Sequence, residues 1–274
     1  MRWTGVLAGL LAAQFAAADA AHVDFELGIV FPQELAGMPL DQVEKYNAAE
    51  LGYSLFYSDG DFSCEVSVFD LGRSDIPDGP SSDGLQTIIQ SMELEMEKLD
   101  KQGDIDKFQK RGGPVVPKTS PLQFSNTVFK YSEPREVDGK RKMIPRYNSI
   151  YLTGSHGKFI KVQFKFDAAG NSRARGMADE LVKQLVVGLV TERSEDDLLL
   201  AACDALIHNP AGYSGQMAAQ RIYEKTMTMD ELSIYDAFFV WPQDYSKPDN
   251  ADLLTVAYFA GMLKVVIPQQ LASG

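Results

Sequence analysis

The chain has 274 residues, of which 45% are hydrophobic and 23% are charged, as in an ordinary globular protein. These proportions exclude a disordered chain, a collagen-like repeat and a polytopic membrane protein. The 26 basic and 38 acidic side chains give a net charge of −12. Because such a surface repels phosphate backbones, the composition also argues against a nucleic-acid-binding protein.

Residues 1–20 have the order of features that is typical of a secretory signal peptide. Arg2 precedes an apolar run, and Ala18 and Ala20 occupy the −3 and −1 positions of an A-x-A cleavage site. The apolar run is too short to cross a bilayer, which needs about 20 residues. We therefore expect cleavage after Ala20, export to the periplasm or the medium, and a soluble mature chain without stable membrane insertion. A buried N-terminal helix is the alternative.

The first half of the mature chain predicts strands joined by turns, with one amphipathic helix. Apolar or alternating segments predict strands over residues 25–31, 51–57 and 62–69. The Asp-Gly pair at 59–60 favours a hairpin between the last two strands. Apolar residues recur every three or four positions from Leu85 to Leu99, which predicts a helix with Asp83 as its cap and Gly103 as its stop.

The second half predicts more strands and a helical end. Strands are expected over residues 122–131, 143–153 and 159–166, and helices over residues 172–191, 195–207, 215–225 and 250–266. Asp-Gly at 138–139 and the segment 154–157 indicate hairpin turns. The glycine pair at 112–113, followed by proline, indicates a helix stop and a loop. Residues 234–241 fit a strand or a buried helix equally well.

Hairpin strands with one inserted helix and one closing helix predict an α+β fold, a mainly antiparallel sheet flanked by helices. Residues 195–274 contain 4 basic and 11 acidic side chains, which makes them the more acidic part of the mature chain. We therefore expect a signal peptide at 1–20, a sheet domain at 21–194 and a mainly helical C-terminal subdomain at 195–274.

Cys64 and Cys203 are the two cysteines of the chain. In an exported protein, two cysteines allow a single intramolecular disulfide. Cys64 also alternates with apolar Val66 and Val68, and Cys203 lies inside an apolar helical segment. Because free cysteine is one of the most buried residue types, two separate core thiols are the alternative.

No motif in the sequence predicts a catalytic centre, a metal site or a cofactor. The segments 154–157 and 212–215 both miss the G-x-S-x-G spacing, and we expect the adjacent side chains of Ser155 and His156 to diverge. The histidines form no H-x-x-x-H pair, and His22 falls at the new N-terminus, where we expect little order. The glycine-rich phosphate-binding motifs are also missing.

Three polar residues of the strand at 159–166 are candidate binding residues. Lys161, Gln163 and Lys165 alternate with apolar residues and therefore share one face of the strand. Two cations on an acidic protein would suit an anionic or acidic partner, and a solvated surface is the alternative. A second basic cluster at 140–142 is interleaved with acidic residues and predicts a solvated hairpin.

Several strand and turn signatures resemble a group of exported, uncharacterised proteins of Gram-negative bacteria. They are LGYSLFY, VSVFDLG and IPDGP within residues 51–80, and YLTGSHGKFIKVQF at 151–164, followed by an amphipathic helix. More loosely, residues 25–192 are similar to the PsbP-like fold, which implies an antiparallel sheet between helices.

PsbP-like proteins are mostly non-catalytic binding or assembly factors, so this resemblance implies a binding role. We therefore expect a binding or assembly module that acts on an envelope or extracellular partner, such as another envelope protein. A small exported hydrolase, with a site that the sequence does not show, is the alternative.

Overall fold

The computed structural model describes residues 20–226 together with residues 260, 261 and 263. The expected signal peptide up to residue 19, the segment 234–241 and most of the helix expected at 250–266 lie outside the described residues. The chain divides into two compact units. We call residues 34–190 the sheet unit, and the described residues before and after it the terminal unit.

The elements of both units are numbered in chain order. The strands are β1 (Ala20–Asp24), β2 (Ile29–Pro32), β3 (Glu34–Leu35), β4 (Met38–Lys45), β5 (Tyr53–Asp59), β6 (Phe62–Phe69), β7 (Asp106–Val116), β8 (Phe124–Val137), β9 (Lys140–Ser155) and β10 (Lys158–Asp167). The helices are α1 (Asp83–Gln102), α2 (Asn171–Val190), α3 (Glu195–His208) and α4 (Tyr213–Thr226), with short 3-10 turns at Ala49–Leu51 and Ala168–Gly170.

The sheet unit contains one antiparallel sheet of eight strands, in the order β3-β4-β5-β6-β10-β9-β8-β7. Two four-stranded meanders meet where β6 pairs with β10, with Val66 opposite Val162. The predicted α+β class, a mainly antiparallel sheet with flanking helices, is confirmed.

Helix α1 covers one face of the sheet, and helix α2 covers the other. The apolar stripe of α1 packs with Phe129, Ile150 and Leu152, which point to the same face because opposite partners in paired strands share a face. Tyr151 points to the other face, where burial and the charge of Asp179 on α2 contribute to raising its pKa to about 12. The sheet is therefore buried on both sides, at least over its central strands.

Two hairpin loops follow directly from local sequence. Asp138 and Gly139 both have positive φ, and so do His156 and Gly157, as a two-residue loop with the right twist requires. If Ser155 and His156 formed the second loop, Leu152 would lie opposite Phe159, but the structure places Leu152 opposite Lys161. Because this difference is two residues, every side chain of β9 keeps the expected face.

Two segments differ from the predictions. The strand expected at 25–31 is instead a hairpin, because residues 25–28 form a turn in which the Asp24 carboxylate accepts from the backbone N–H of Glu26 and Leu27. The helix stop expected around the glycine pair at 112–113 is wrong, because these residues lie inside strand β7. Residues 112–113 are in a strand because β7 pairs with β8, with a register shift at each end of the paired segment. The local sequence does not indicate this strand.

The terminal unit combines the hairpin β1–β2 with helices α3 and α4. Val23 packs in one core with Leu199 and Cys203 of α3 and with Ile222 of α4. Helix α3 begins with a capping box, in which the hydroxyl of Ser194 and the carboxylate of Asp197 each accept from the other residue's backbone N–H. Residues 20–33 thus belong to this unit rather than to the sheet unit.

Cys64 of β6 and Cys203 of α3 are both buried. Burial raises the pKa of the Cys64 thiol, and the neighbouring charge of Glu65 raises it further. Burial of both residues agrees with the alternative of two core thiols, and whether the two cysteines pair stays a prediction. Within the described part of the chain, no helix combines the length and apolar character needed to cross a bilayer.

Candidate functional site

A cleft of about 340 Å³ lies between α1 and the sheet. We call it the α1 cleft. Its lining comprises Met92, Glu95, Met96 and Leu99 of α1, Ile105 after it, Phe129, Tyr131 and Glu133 of β8, Asn148 of β9, and Gln163 and Lys165 of β10. This volume lies within the roughly 300–1,000 Å³ that is usual for ligand sites.

The antiparallel register brings the floor of the cleft together from three strands. Lys165 lies opposite Asn148, and Asn148 lies opposite Phe129. Opposite residues of an antiparallel pair have Cβ atoms about 4.5–5.5 Å apart, so these three side chains form one row across the floor. Gln163 belongs to the next row on the same face, opposite Ile150.

One wall of the cleft is apolar. Met92 and Met96 of α1 are half-buried, and methionine adapts its shape to what it contacts. Phe129 is fully buried beneath them and meets the ring of Phe108 edge to face, with ring centroids 5.2 Å apart. This wall therefore offers flexible thioether side chains to an apolar group, and the buried ring of Phe129 supports them from beneath.

The rest of the cleft floor, next to Phe129, is polar and incompletely hydrogen-bonded. Asn148 is 4% exposed, and its Oδ1 atom has no hydrogen-bond partner within the described structure. Gln163 beside it is 8% exposed. Because an unsatisfied buried polar group costs about 1–3 kcal/mol, a ligand group that hydrogen-bonds to Asn148 would recover free energy that folding has left unused.

Among the sequence-predicted binding residues, Gln163 and Lys165 line the α1 cleft, whereas Lys161 is not part of its lining. The Nζ atom of Lys161 is 3.3 Å from Oε1 of Glu65. Lys165, in contrast, has no carboxylate oxygen within 4.0 Å in the part of the chain that the structure describes. Lys165 is therefore the cation of this strand that is available to a ligand.

Glu65 holds a polar network on the same sheet face. Its Oε1 accepts from the hydroxyl of Ser67 at 2.8 Å, and the hydroxyls of Ser67 and Ser54 are 2.9 Å apart. Although burial raises the pKa of Glu65, the charge of Lys161, hydrogen bonds from Ser67 and Lys161 and the charge of Lys165 together hold it below its ordinary value. Lys161 thus belongs to a structural network beside the cleft.

The carboxylate of Glu133 in the cleft lining is paired with two arginines. Glu133 Oε1 lies 2.9 Å from Nε of Arg135 and 2.8 Å from an Nη atom of Arg146, and both arginines also approach Asp167. Tyr131 remains a neutral phenol at physiological pH, because burial, together with the charge of Glu133, raises its pKa to about 12. The charge of Glu133 is therefore already balanced by ion pairs within the protein.

The structure brings Ser155 and His156 together, which the sequence did not predict. The Oγ and Nδ1 atoms are 2.8 Å apart, because His156 adopts a left-handed backbone with φ of 54°. The expectation that the two side chains diverge is wrong. Ser155 is only 3% exposed, and Asp78 accepts from the backbone N–H of His156 rather than from its ring.

A second serine–histidine pair lies in the terminal unit. His22 is 3% exposed, and its Nδ1 is 3.0 Å from the hydroxyl of Ser214, which is also buried. The expected lack of order at His22 is wrong, because strand β1 and the rings of Phe31 and Tyr213 hold it in place. Neither serine–histidine pair contributes to the lining of the α1 cleft.

No family model and no curated protein sequence matches the chain. The resemblance to exported proteins of Gram-negative bacteria and to the PsbP-like fold therefore stays a prediction. In the described residues, no three His, Cys, Asp or Glu side chains are grouped so that they could hold a metal ion.

Sequence reasoning missed Asn148, the central polar residue of the cleft. A signal for it was present, because Asn148 takes the position two residues before Ile150 and four before Leu152, on the face that packs under α1. A lone amide in such an apolar series is a departure from the pattern that burial requires.

Proposed function

We propose that this chain is an exported, non-catalytic binding module that recognises an envelope or extracellular partner through the α1 cleft. The observation that carries the proposal is the unsatisfied amide of Asn148, buried beside Lys165 at the base of a half-apolar cleft. Such a combination of apolar walls and a few convergent polar groups is typical of binding sites.

The chemistry of the lining supports binding rather than catalysis. The residues that line the α1 cleft include no serine, histidine or cysteine, which are the usual nucleophiles and bases of hydrolases. Ser155 and Ser214, which do contact histidines, are buried and do not line the cleft. A hydrolase with a serine nucleophile would need one of these hydroxyls to become accessible to a substrate, and a hydrolase with a carboxylate site would have to use Glu95 or Glu133 of the lining.

Export is supported by the signal-peptide pattern of residues 1–20. The full chain is expressed in a Gram-negative host, and the intact mass of the product outside the cytosol is measured. We expect the mass of the chain that begins at Ala21. Recovery of the uncut chain from the cytosol would contradict export.

Binding through the cleft is tested by capture from envelope extract with the mature protein and two matched variants. Lys165→Met removes the cation of the cleft but keeps a long side chain, whereas Lys183→Met makes the same change on the exposed surface of α2. We expect the wild type and Lys183→Met to capture the same partner and Lys165→Met to lose it. Equal capture by all three proteins would refute a role for the cleft.

A further inference from the structure

We propose that the α1 cleft binds the C-terminus of a partner polypeptide whose last side chain is apolar. This inference rests on the proposed binding function and specifies the chemistry of its ligand. Three features of the cleft each select one part of a C-terminal residue: the carboxylate, the backbone N–H and the side chain.

Lys165 selects the carboxylate. Strand β10 contains three lysines, and two of them are already paired: Lys158 Nζ lies 2.6 Å from Asp70 and Lys161 Nζ lies 3.3 Å from Glu65. The third, Lys165, is half-buried in the cleft lining and has no such partner within the described residues. A carboxylate placed beside it would form a charge-assisted hydrogen bond in a partly desolvated site, where these bonds are strong.

Asn148 selects the backbone N–H. Its Oδ1 is a buried acceptor with no partner in the described residues. A ligand N–H would reach it once the amide turned toward the cleft, where its cross-strand neighbour in the same row is Lys165. In a C-terminal residue one carbon separates the N–H from the carboxylate, so the two groups can reach two adjacent side chains. A fatty acid offers the carboxylate without the N–H and would leave Oδ1 unsatisfied, which favours a peptide.

The apolar wall selects the side chain. Met92, Met96 and Leu99 of α1 line the cleft and pack against the cluster that contains Phe129. Apolar contacts with them would bury a leucine- or methionine-sized group. A volume of about 340 Å³ is near the lower end of the range that is usual for ligand sites and has room for one residue with its carboxylate. Glu95, exposed at the cleft, disfavours a second acidic residue just before the last one.

The test uses the mature protein and three soluble probes in isothermal titration calorimetry. The first probe is acetyl-Ala-Ala-Leu with a free carboxylate, the second is the same tripeptide with a C-terminal amide, and the third is dodecanoate. We expect the acid tripeptide to bind at least about tenfold more tightly than the amide, which corresponds to a difference of about 1.4 kcal/mol.

Two variants assign the recognition of the carboxylate and of the N–H to named residues. The second variant needs a fourth probe, an ester analogue of the acid tripeptide. In Lys165→Met, the acid and the amide tripeptides should bind equally, because the charge that distinguishes them has gone, whereas Lys183→Met should keep the tenfold preference. In Asn148→Leu, replacing the last peptide bond of the probe by an ester should make no difference, whereas in the wild type the ester should bind about tenfold more weakly. Circular dichroism checks that each variant is folded.

The outcomes separate this inference from the proposed function. Displacement by the acid tripeptide of a partner captured from envelope extract supports both. If the partner is captured in a Lys165-dependent way but the tripeptide neither binds nor displaces it, the C-terminal ligand is wrong while the binding function stands. Tighter binding of dodecanoate than of the acid tripeptide also overturns the peptide ligand. Loss of both probe binding and Lys165-dependent capture overturns both proposals.

Discussion

Asn148 occupies a position on the buried face of β9 where we expect an apolar residue to be more stable. Its side chain is buried between Phe129 and Lys165, and its Oδ1 has no partner in the described structure. Burial of a polar group without a hydrogen bond opposes folding. A contact with the proposed ligand of the α1 cleft would explain a residue that opposes folding at this position.

The first prediction follows from the missing hydrogen bond of Asn148. We expect Asn148→Leu, a change of similar volume, to raise the free energy of unfolding by about 1 kcal/mol, as measured by urea denaturation. Gln123→Leu is the matched control, because the amide of Gln123 donates to the carbonyl of Lys118 at 3.1 Å and its loss should not stabilise. A clear destabilisation by Asn148→Leu would show that this amide is already satisfied in solution.

The second prediction concerns Glu65, whose pKa is lowered in the folded state. A lowered pKa means that folding favours the carboxylate, so this stabilisation is present above the ordinary value of 4.5 and is lost as the pH falls through the folded-state value. We expect Glu65→Gln, which keeps an acceptor for Ser67, to lower the free energy of unfolding by about 1 kcal/mol at pH 7.

The difference between the wild type and Glu65→Gln should shrink as the pH falls below 4.5, where the wild-type carboxylate becomes protonated. Urea denaturation at pH 7 and at pH 3 measures it. Glu97→Gln, on the exposed side of α1 with Lys101 at 3.9 Å, is the control and should change stability by less than about 0.5 kcal/mol at pH 7. A Glu65→Gln effect of the same size at both pH values would contradict the assignment.

At the scale of the elements, what could be predicted from sequence was local, and what could not was non-local. The hairpin at Asp138–Gly139 follows from residues that tolerate positive φ. Helix α1 follows from its own apolar stripe. Strand β7, with charged residues, two adjacent glycines and a proline, is a strand because β8 pairs with it.

The candidate site shows the same division. Lys161, Gln163 and Lys165 could be placed on one face of β10 from their alternation alone. That Lys165 meets Asn148, seventeen positions earlier, depends on the register of the hairpin β9–β10. That α1 turns this face into a cleft depends on packing between elements far apart in the chain, which a single sequence does not reveal.

The third prediction concerns the segment that joins β6 to α1. The backbone of Gly79 exchanges two hydrogen bonds with Gly154 of β9, of 2.9 and 3.0 Å, and a Cβ atom at Gly154 would lie 2.0 Å from the carbonyl oxygen of Pro77. We therefore expect Gly154→Ala to lower the free energy of unfolding by about 3 kcal/mol.

Gly176→Ala is the matched control for this change. Gly176 is exposed on α2, and an alanine methyl group there would have no neighbouring atom within 4 Å. Alanine at this position should therefore stabilise by about 0.5–1 kcal/mol through its higher helix propensity. Thermal unfolding of both variants measures the two opposite shifts. If Gly154→Ala is neutral, the segment at 76–80 is not held against β9 in solution.

At the scale of the whole molecule, one unit is formed by a continuous segment of the chain and the other by two separate segments. The sheet unit is a single continuous segment, residues 34–190, and it contains every strand of the eight-stranded sheet with helices α1 and α2. The terminal unit draws on both ends of the chain, because Val23 shares a core with α3 and α4. The α1 cleft lies wholly within the sheet unit.

The fourth prediction follows from this division. We expect a fragment of residues 34–190 to fold alone, with one cooperative urea transition, and to bind acetyl-Ala-Ala-Leu with the affinity of the mature protein, since the cleft and both helices are intact in it. Residues 191–274 alone should not fold cooperatively, because β1 and β2 are missing from their core, and joining residues 20–33 to them should restore the transition. If the fragment 34–190 does not unfold cooperatively, residues outside it are needed to stabilise the sheet. If the fragment folds but no longer binds the tripeptide, the ligand site is not the α1 cleft.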